Sequence, residues 1–333
     1  MTLVRQMFVR QRQQYTPRVR TSAAPINVNG HGVIVTTPDN TENRNMYGTL
    51  IEPLTLQSLL SAERCVVLDC RFDLAKPQAG ELAFLAGHIA GAQYAHLDRD
   101  LSGTVTPSSG RHPLPDVAKF SARVGAWGID NQTQVVAYDQ NNGMFAAHLW
   151  WLLCWLGHTR VAVLNGGVHA WQKAGLRLSS EIAPRSARLF VPSVQAHEVV
   201  AVAEIEHAVR DANLGASGTA RLIDARAADR FAGRNETIDP VAGHIPSAGN
   251  FPFAQNLDAE GRFQSPDALR ALWAPILGTL AAPEMIMMCG SGVSACHNLL
   301  ALEHAGLRGA RLYAGSWSEW IRDASRPIAT GEC

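Results

Sequence analysis

Glu284-Met-Ile-Met-Met-Cys-Gly-Ser-Gly-Val-Ser-Ala-Cys-His297 is the stretch whose reading decides the fold. Met285 to Met288 reads as a short apolar strand, entered at Pro283. A tight loop opens at Cys289, where Gly290 and Gly292 permit backbone angles that a Cβ resists. A helix pattern starts near Val293, runs through Cys296, Leu299, Leu300 and Leu302, and stops at Gly306. Strand, loop and helix in this order put Cys289 at the strand end, where open parallel sheets hold their ligand sites. The curled loop turns its N–H groups inward as an anion-binding nest, and the helix N-terminus adds partial positive charge. Both favour negative charge on a sulfur held there, which suits a nucleophile and any persulfide formed on it. A cysteine that opens a Gly-x-Gly turn is poor core material.

Two halves, offset by about 150 residues, repeat this design. Val66-Val67-Leu68-Asp69-Cys70-Arg71 matches Leu222-Ile223-Asp224-Ala225-Arg226, and Gly87-His88-Ile89 matches Gly243-His244-Ile245. Val135 to Asp139 matches Ile286 to Cys289. Short apolar strands alternate with amphipathic helices, which predicts an α/β fold with parallel-rich sheets covered on both faces. Strands are expected at Cys65–Asp69, Gln134–Tyr138, Arg221–Ala225 and Leu312–Tyr313. Helices are expected at Leu54–Ala62, Val117–Trp127, Val199–Arg210 and Pro266–Leu280. Asp98 to Pro115 and Arg230 to Pro246 read as loops. The expected organisation is an N-terminal arm at 1–45, a first domain at 46–178, a linker at 179–197 and a second domain at 198–333. Asp139 stands where the second half has Cys289, so the first half is expected to be catalytically silent.

The loop Cys289 to Cys296 closely resembles the active-site loop of 3-mercaptopyruvate sulfurtransferases, in the rhodanese superfamily, which usually carry Thr where Ser294 stands. The resemblance spans roughly residues 50–331. It implies two tandem rhodanese-like domains, each a mostly parallel sheet flanked by helices, with the active site between them. It also implies that sulfur passes from a small anionic donor, through a Cys289 persulfide, to cyanide, a thiol or thioredoxin, with no cofactor or metal. Gly290 and Ser291 after the cysteine are neutral, which fits a monoanionic carboxylate donor such as 3-mercaptopyruvate better than thiosulfate. A thiosulfate-preferring rhodanese and a sulfur-delivery or binding module are the alternatives. A cysteine phosphatase would need Cys-x5-Arg, and Ala295 holds that position.

The resemblance assigns the remaining site residues. Ser291 relays a proton with substrate or sulfur, and Gly290, Gly292, Val293 and Ser294 form the cradle. Ser294 reads equally well as a helix N-cap. Arg230 matches the arginine that binds the donor carboxylate, for which a guanidinium fork is suited. The second arginine usual before Gly-His-Ile is missing, with Arg234 as a substitute. Arg111, in Arg111-His112-Pro113-Leu114-Pro115, matches an interdomain segment in which a positive group faces the cleft, and reads equally well as part of a surface loop. His88 matches the histidine placed near the loop serine, with Asp73 or Glu81 as supporting carboxylate, and reads equally well as a structural turn histidine, while His244 reads as a structural turn. Cys296 reads as core, and Asp69 and Asp224 as acceptors for nearby loop amides.

With 29 basic and 29 acidic residues, the chain has no global field for nucleic acid. Its most apolar run, Met144 to Leu156, contains His148 and is too short to span a bilayer, so it reads as a buried helix and no membrane partner is expected. Six cysteines in a 333-residue chain with 47% apolar content suit reduced thiols in a cytoplasmic compartment. The arm carries Arg5, Arg10, Arg12, Arg18 and Arg20 without an acid among them. It reads either as a disordered extension or as a transit peptide, which would make the protein mitochondrial.

Overall fold

The computed structural model describes residues 47–62, 64–213 and 221–332. The arginine-rich arm and Cys333 lie outside the described residues. The repeated apolar runs form two sheets whose registered strand pairs are all parallel. In the first, β1 (Leu50–Ile51), β2 (Cys65–Asp69), β3 (Gln93–Tyr94), β4 (Gln134–Tyr138) and β5 (Val161–Leu164) lie in the order β1-β5-β4-β2-β3. In the second, β6 (Arg221–Asp224), β7 (Gly249–Asn250), β8 (Met285–Met288) and β9 (Arg311–Leu312) lie in the order β7-β6-β8-β9. The shared order β3-β2-β4-β5 and β7-β6-β8-β9 makes the duplication visible in three dimensions. The counterpart of β1 is reduced to one parallel bridge, Val199 to Leu312.

Every residue of β2 and of β8 is buried. Continuous apolar runs with no polar alternation are what a sheet covered on both faces requires. Six helices belong to the first half: α1 (Pro53–Leu59), α2 (Ala79–Ala86), α3 (Leu97–Asp100), α4 (Val117–Ala126), α5 (Met144–Trp155) and α6 (Gly167–Lys173). The second half contributes α7 (Val202–Asn213), α8 (Ala228–Phe231), α9 (Pro266–Leu277), α10 (Ala295–His304) and α11 (Ser316–Trp320). Local chemistry sets the starts of α4 and α9. The Asp116 carboxylate accepts from Lys119 N at 2.9 Å, and Ser265 Oγ from Ala268 N at 3.3 Å.

The helices that follow the two central strands pack on each other. α5 is buried from Ala146 through Leu153, and α10 from Ala295 through Leu302. Leu149 and Leu153 of α5 share one continuous apolar core with Leu299 and Leu300 of α10, so the core crosses from one half to the other. Among the described residues no helix is long and apolar enough to cross a membrane. Polar bonds reinforce the junction: Phe263 N donates to Asn165 Oδ1 at 2.9 Å, Thr49 Oγ1 bonds His304 Nδ1 at 3.0 Å, and Arg262 pairs with Glu52.

Two stretches expected to be loops are loops over 101–115 and 232–246, but each begins inside a short helix. Residues 98–115 begin inside α3 and then cross to the second half. Arg111 N donates to Ser318 Oγ at 3.0 Å, and a Cβ on Gly110 would lie 2.6 Å from Gly315 O. Backbone-to-backbone approach of this kind is invisible to periodicity. Arg230, expected to open a loop, is the third residue of the one-turn helix α8. The segment 179–197 runs into a 3-10 turn, Ala196–Glu198, and is tied to the first half where Ser179 and His88 exchange backbone bonds of 2.8 Å.

Candidate active site

β8 delivers Cys289 to the junction of the two halves, and α11 fixes the loop from behind. Cys289 N donates to Ser316 Oγ at 3.0 Å, Trp317 N donates to Cys289 O at 3.0 Å, and Ser318 N to Gly290 O at 2.8 Å. Gly292 adopts φ 83°, and a Cβ there would stand 2.5 Å from Ala314 O, so only glycine fits the turn. The Cys296 thiol donates to Gly292 O at 3.2 Å and closes the turn from the helix side. Burial, and then the neighbouring Cys289, hold that thiol well above its usual range, so Cys296 is a clamp and part of the core, as expected.

The backbone N–H groups of Gly290, Ser291, Gly292, Val293 and Ser294 have no protein acceptor among the described residues. They curl around a cysteine that is 2% exposed. The first half shows what such a loop holds. The Asp139 carboxylate accepts from Gly143 N at 2.9 Å, Phe145 N at 2.9 Å and Ala146 N at 3.3 Å, at the start of α5. The first half therefore fills its own nest with a negative group. The second copy presents the same kind of cradle to whatever Cys289 carries.

Ser291 Oγ lies 2.7 Å from His112 Nδ1, and His112 Nε2 stands 3.4 Å from Asp98 Oδ1. Burial, reinforced by His148 and Arg111, pulls His112 down to about 3, so the ring is neutral near pH 7. With the ring N–H turned toward Asp98, Nδ1 accepts from the serine hydroxyl. Asp98 then orients the ring without forming an ion pair.

Two guanidinium groups stand over Gly290. A Cβ on Gly290 would meet Arg111 Nη2 at 2.9 Å and Arg230 Nη2 at 3.7 Å. Arg111 comes from the first half and Arg230 from α8. Beside them lies a cavity of about 280 Å³, walled by Phe72, Leu74, Val105 and Ile238 and floored by Arg111, His112 and Asp98. It is the size of a small metabolite. No group of three or more His, Cys, Asp or Glu among the described residues is placed to share a metal ion.

The Rhodanese-like domain family matches this chain twice, over residues 52–174 and 209–323. The chain is a tandem rhodanese-family sulfurtransferase. A protein of Pseudomonas aeruginosa named probable 3-mercaptopyruvate sulfurtransferase is 46% identical over 284 residues, 84% of this chain and 98% of that one. A Mycobacterium tuberculosis protein named putative thiosulfate sulfurtransferase SseB is 36% identical, covering 80% of this chain and 90% of its own. The crystal structure of the 3-mercaptopyruvate sulfurtransferase SseA of Escherichia coli superposes with a TM-score of 0.69 at 28% identity, over 81% of this chain and 98% of that one.

The sulfurtransferase brings together Cys289, Ser291, Gly290, Gly292, Arg230 and Arg111. Val293 contributes its amide, since its side chain is part of the apolar core. Ser294 occupies the N-cap of α10 without a side-chain capping bond. His88 is a correction. Its ring is fully buried and stacked 4.1 Å from Phe84, with Nδ1 on Phe84 O at 2.8 Å and Nε2 on Glu181 O at 3.1 Å. Nδ1 serves the turn and Nε2 reaches the segment after the first half, and His244 repeats the Nδ1 bond and the stacking on Phe231. The suggested partners are elsewhere: Asp73 caps Ala75 N, and Glu81 pairs with Arg99 on the surface. The histidine that meets the loop serine is His112. Arg234 does not substitute for the missing arginine, because it pairs with Glu332 in solvent. Asp69 and Asp224 accept from the amides of Arg71 and Arg226, as expected, and also pair with those guanidinium groups.

Asp98, Asp239, Glu236 and Arg226 were not legible as site residues. The repeated Asp-x-Arg could have flagged Arg226, but nothing in the sequence distinguishes Asp239 from any other loop aspartate.

Proposed function

We propose that the chain moves sulfur from 3-mercaptopyruvate, through a persulfide on Cys289, to a thiophilic acceptor such as cyanide, a small thiol or thioredoxin. The observation that carries this reading is the set of loop amides around Cys289 that no protein group accepts from, with Arg111 and Arg230 above them. The donor carboxylate pairs with the guanidinium edge, and the Cys289 sulfur attacks the donor thiol sulfur. A sulfur–sulfur bond forms, the carbon–sulfur bond breaks, and its electron pair leaves as the enolate of pyruvate. The proton of the donor thiol passes to the enolate carbon, with Ser291 and the neutral His112 as the relay. The amides of residues 290–294 hold the negative outer sulfur until an acceptor takes it and returns Cys289 to its starting state. No cofactor or metal enters these steps. A cytoplasmic site of action rests on cysteine usage, with Cys65, Cys70, Cys289 and Cys296 buried and unpaired.

Steady-state sulfur transfer to cyanide from 3-mercaptopyruvate and from thiosulfate, with Cys289→Ser alongside, tests the reading. Preference for 3-mercaptopyruvate, lost in the variant, is expected. Preference for thiosulfate would overturn the donor assignment. Activity surviving in Cys289→Ser would overturn the persulfide.

A further inference from the structure

The two guanidinium groups over Gly290 are not free charges. Asp239, whose side chain is 2% exposed, bonds Arg111 Nη1 and reaches Arg230 Nη2 at 3.2 Å. Glu236, equally buried, takes Arg230 Nη2 at 2.8 Å and Nε at 3.2 Å, and lies 3.4 Å from Arg226 Nη1. Arg226 is in turn paired with Asp224 at 2.7 Å. Arg111, Arg226 and Arg230 are thus matched by Asp224, Glu236 and Asp239. The loop is held in this shape by Glu236 Oε1, which accepts from Ile238 N and Asp239 N at 2.9 Å each. Asp239 Oδ2 ends 3.7 Å from the position of a Cβ on Gly290, at the same distance as Arg230 Nη2. Arg111 Nη2 and Arg230 Nη1 have no protein acceptor among the described residues, so each arginine keeps one terminal amine for a ligand.

We infer that Asp239 is a specificity-determining residue: its carboxylate, set between Arg111 and Arg230, makes the donor site accept a monoanion and reject a dianion. This rests on the sulfurtransferase reading and deepens it. A monoanionic carboxylate can use the two remaining amines. A second negative charge on the ligand would lie within a few ångströms of the buried Asp239 carboxylate, in a partly buried cleft where like charges repel more strongly than in bulk water. A site with two arginines and no counter-carboxylate would instead suit thiosulfate. The neutral side chains after Cys289 act in the same direction, but Asp239 supplies the repulsive element that discrimination requires.

Asp239→Asn removes the charge and keeps the shape. The ratio of its kcat/KM for thiosulfate to that for 3-mercaptopyruvate is expected to rise at least tenfold over wild type, because removing the carboxylate helps a dianion more than a monoanion. Calorimetry with sulfate, an inert dianion, should show at least tenfold tighter binding to the variant, with pyruvate binding within threefold. Equal losses with both donors would make Asp239 a residue that only positions the arginines, and an unchanged donor ratio would overturn the inference as well. The sulfate titration needs no turnover. A wild type inert toward both donors would therefore refute the sulfurtransferase assignment while the titration still judged Asp239. Asp239→Ser repeats the measurement if the asparagine variant does not fold. Wild-type protein gives a third reading: sulfate binding more than threefold tighter than pyruvate would overturn the inference.

Discussion

His112 Nδ1 lies 2.7 Å from Ser291 Oγ across a separation of 179 residues, so the first half supplies a group that touches the reactive loop of the second. On the proposed mechanism, the half that carries Asp139 in place of a cysteine takes part in the chemistry through this contact. Removing the ring in His112→Ala should lower kcat roughly 10²- to 10⁴-fold with little change in donor KM, the range for loss of a proton-transfer group. His88→Gln should do the reverse. It disturbs a buried turn, so thermal melting should drop while the folded fraction keeps its kcat. Equal kcat losses in the two variants would contradict this division of labour.

Gly290 and Gly292 are separated by one residue and should fail differently. Gly290→Ala puts a methyl group 2.9 Å from Arg111 Nη2, the end of a long side chain that can give way. Donor KM should rise and the melting temperature should barely move. Gly292→Ala meets the Ala314 carbonyl at 2.5 Å in a left-handed conformation. A cost of about 1–3 kcal/mol is expected, read as a fall in melting temperature.

Arg111→Gln should raise donor KM about 10- to 100-fold, the equivalent of roughly 1.4–2.8 kcal/mol of binding, with a smaller effect on kcat. Arg230→Gln would remove the partner that two buried carboxylates share and should lower stability as well as affinity. Initial-rate kinetics combined with chemical denaturation separates the two variants.

Acid should unfold the protein early. Burial pulls His112 to about 3, His148 to about 4 and His297 to about 3, against 6.5 in an exposed ring. The folded values are depressed, so the stability these residues contribute is complete above about pH 6.5. It is lost as pH falls, because the unfolded chain then binds protons that the folded one refuses. The slope is about 1.4 kcal/mol per pH unit for each histidine. Melting temperature should fall steeply from pH 6 to pH 5, and a flat profile over that interval would refute the argument.

Much of the fold was written locally. The runs at Cys65, Gln134 and Met285 became β2, β4 and β8 at the expected residues, because uninterrupted apolar strands bounded by turn residues have few alternatives. The reactive loop was equally plain, since Cys289, Gly290 and Gly292 act through backbone geometry close in sequence. What comes from across the junction was not. His88 was singled out by family resemblance, and its repetition at His244 reflects a shared turn. His112 belongs to a segment whose course depends on Gly110 packing against Gly315 O, a contact 205 positions away in the chain. Asp239 is meaningful only once Arg111 and Arg230 are placed on either side of it.

The Asp139 carboxylate bound by the amides at the start of α5 says which form of the second half is at rest. A loop that folds best around an anion is complete when loaded and incomplete when empty. Capture of sulfur is then downhill for the protein, and release means lifting it out of a fitted socket. On the proposed persulfide route the exit step then sets the pace: turnover at saturating donor is expected to rise with the strength of the acceptor.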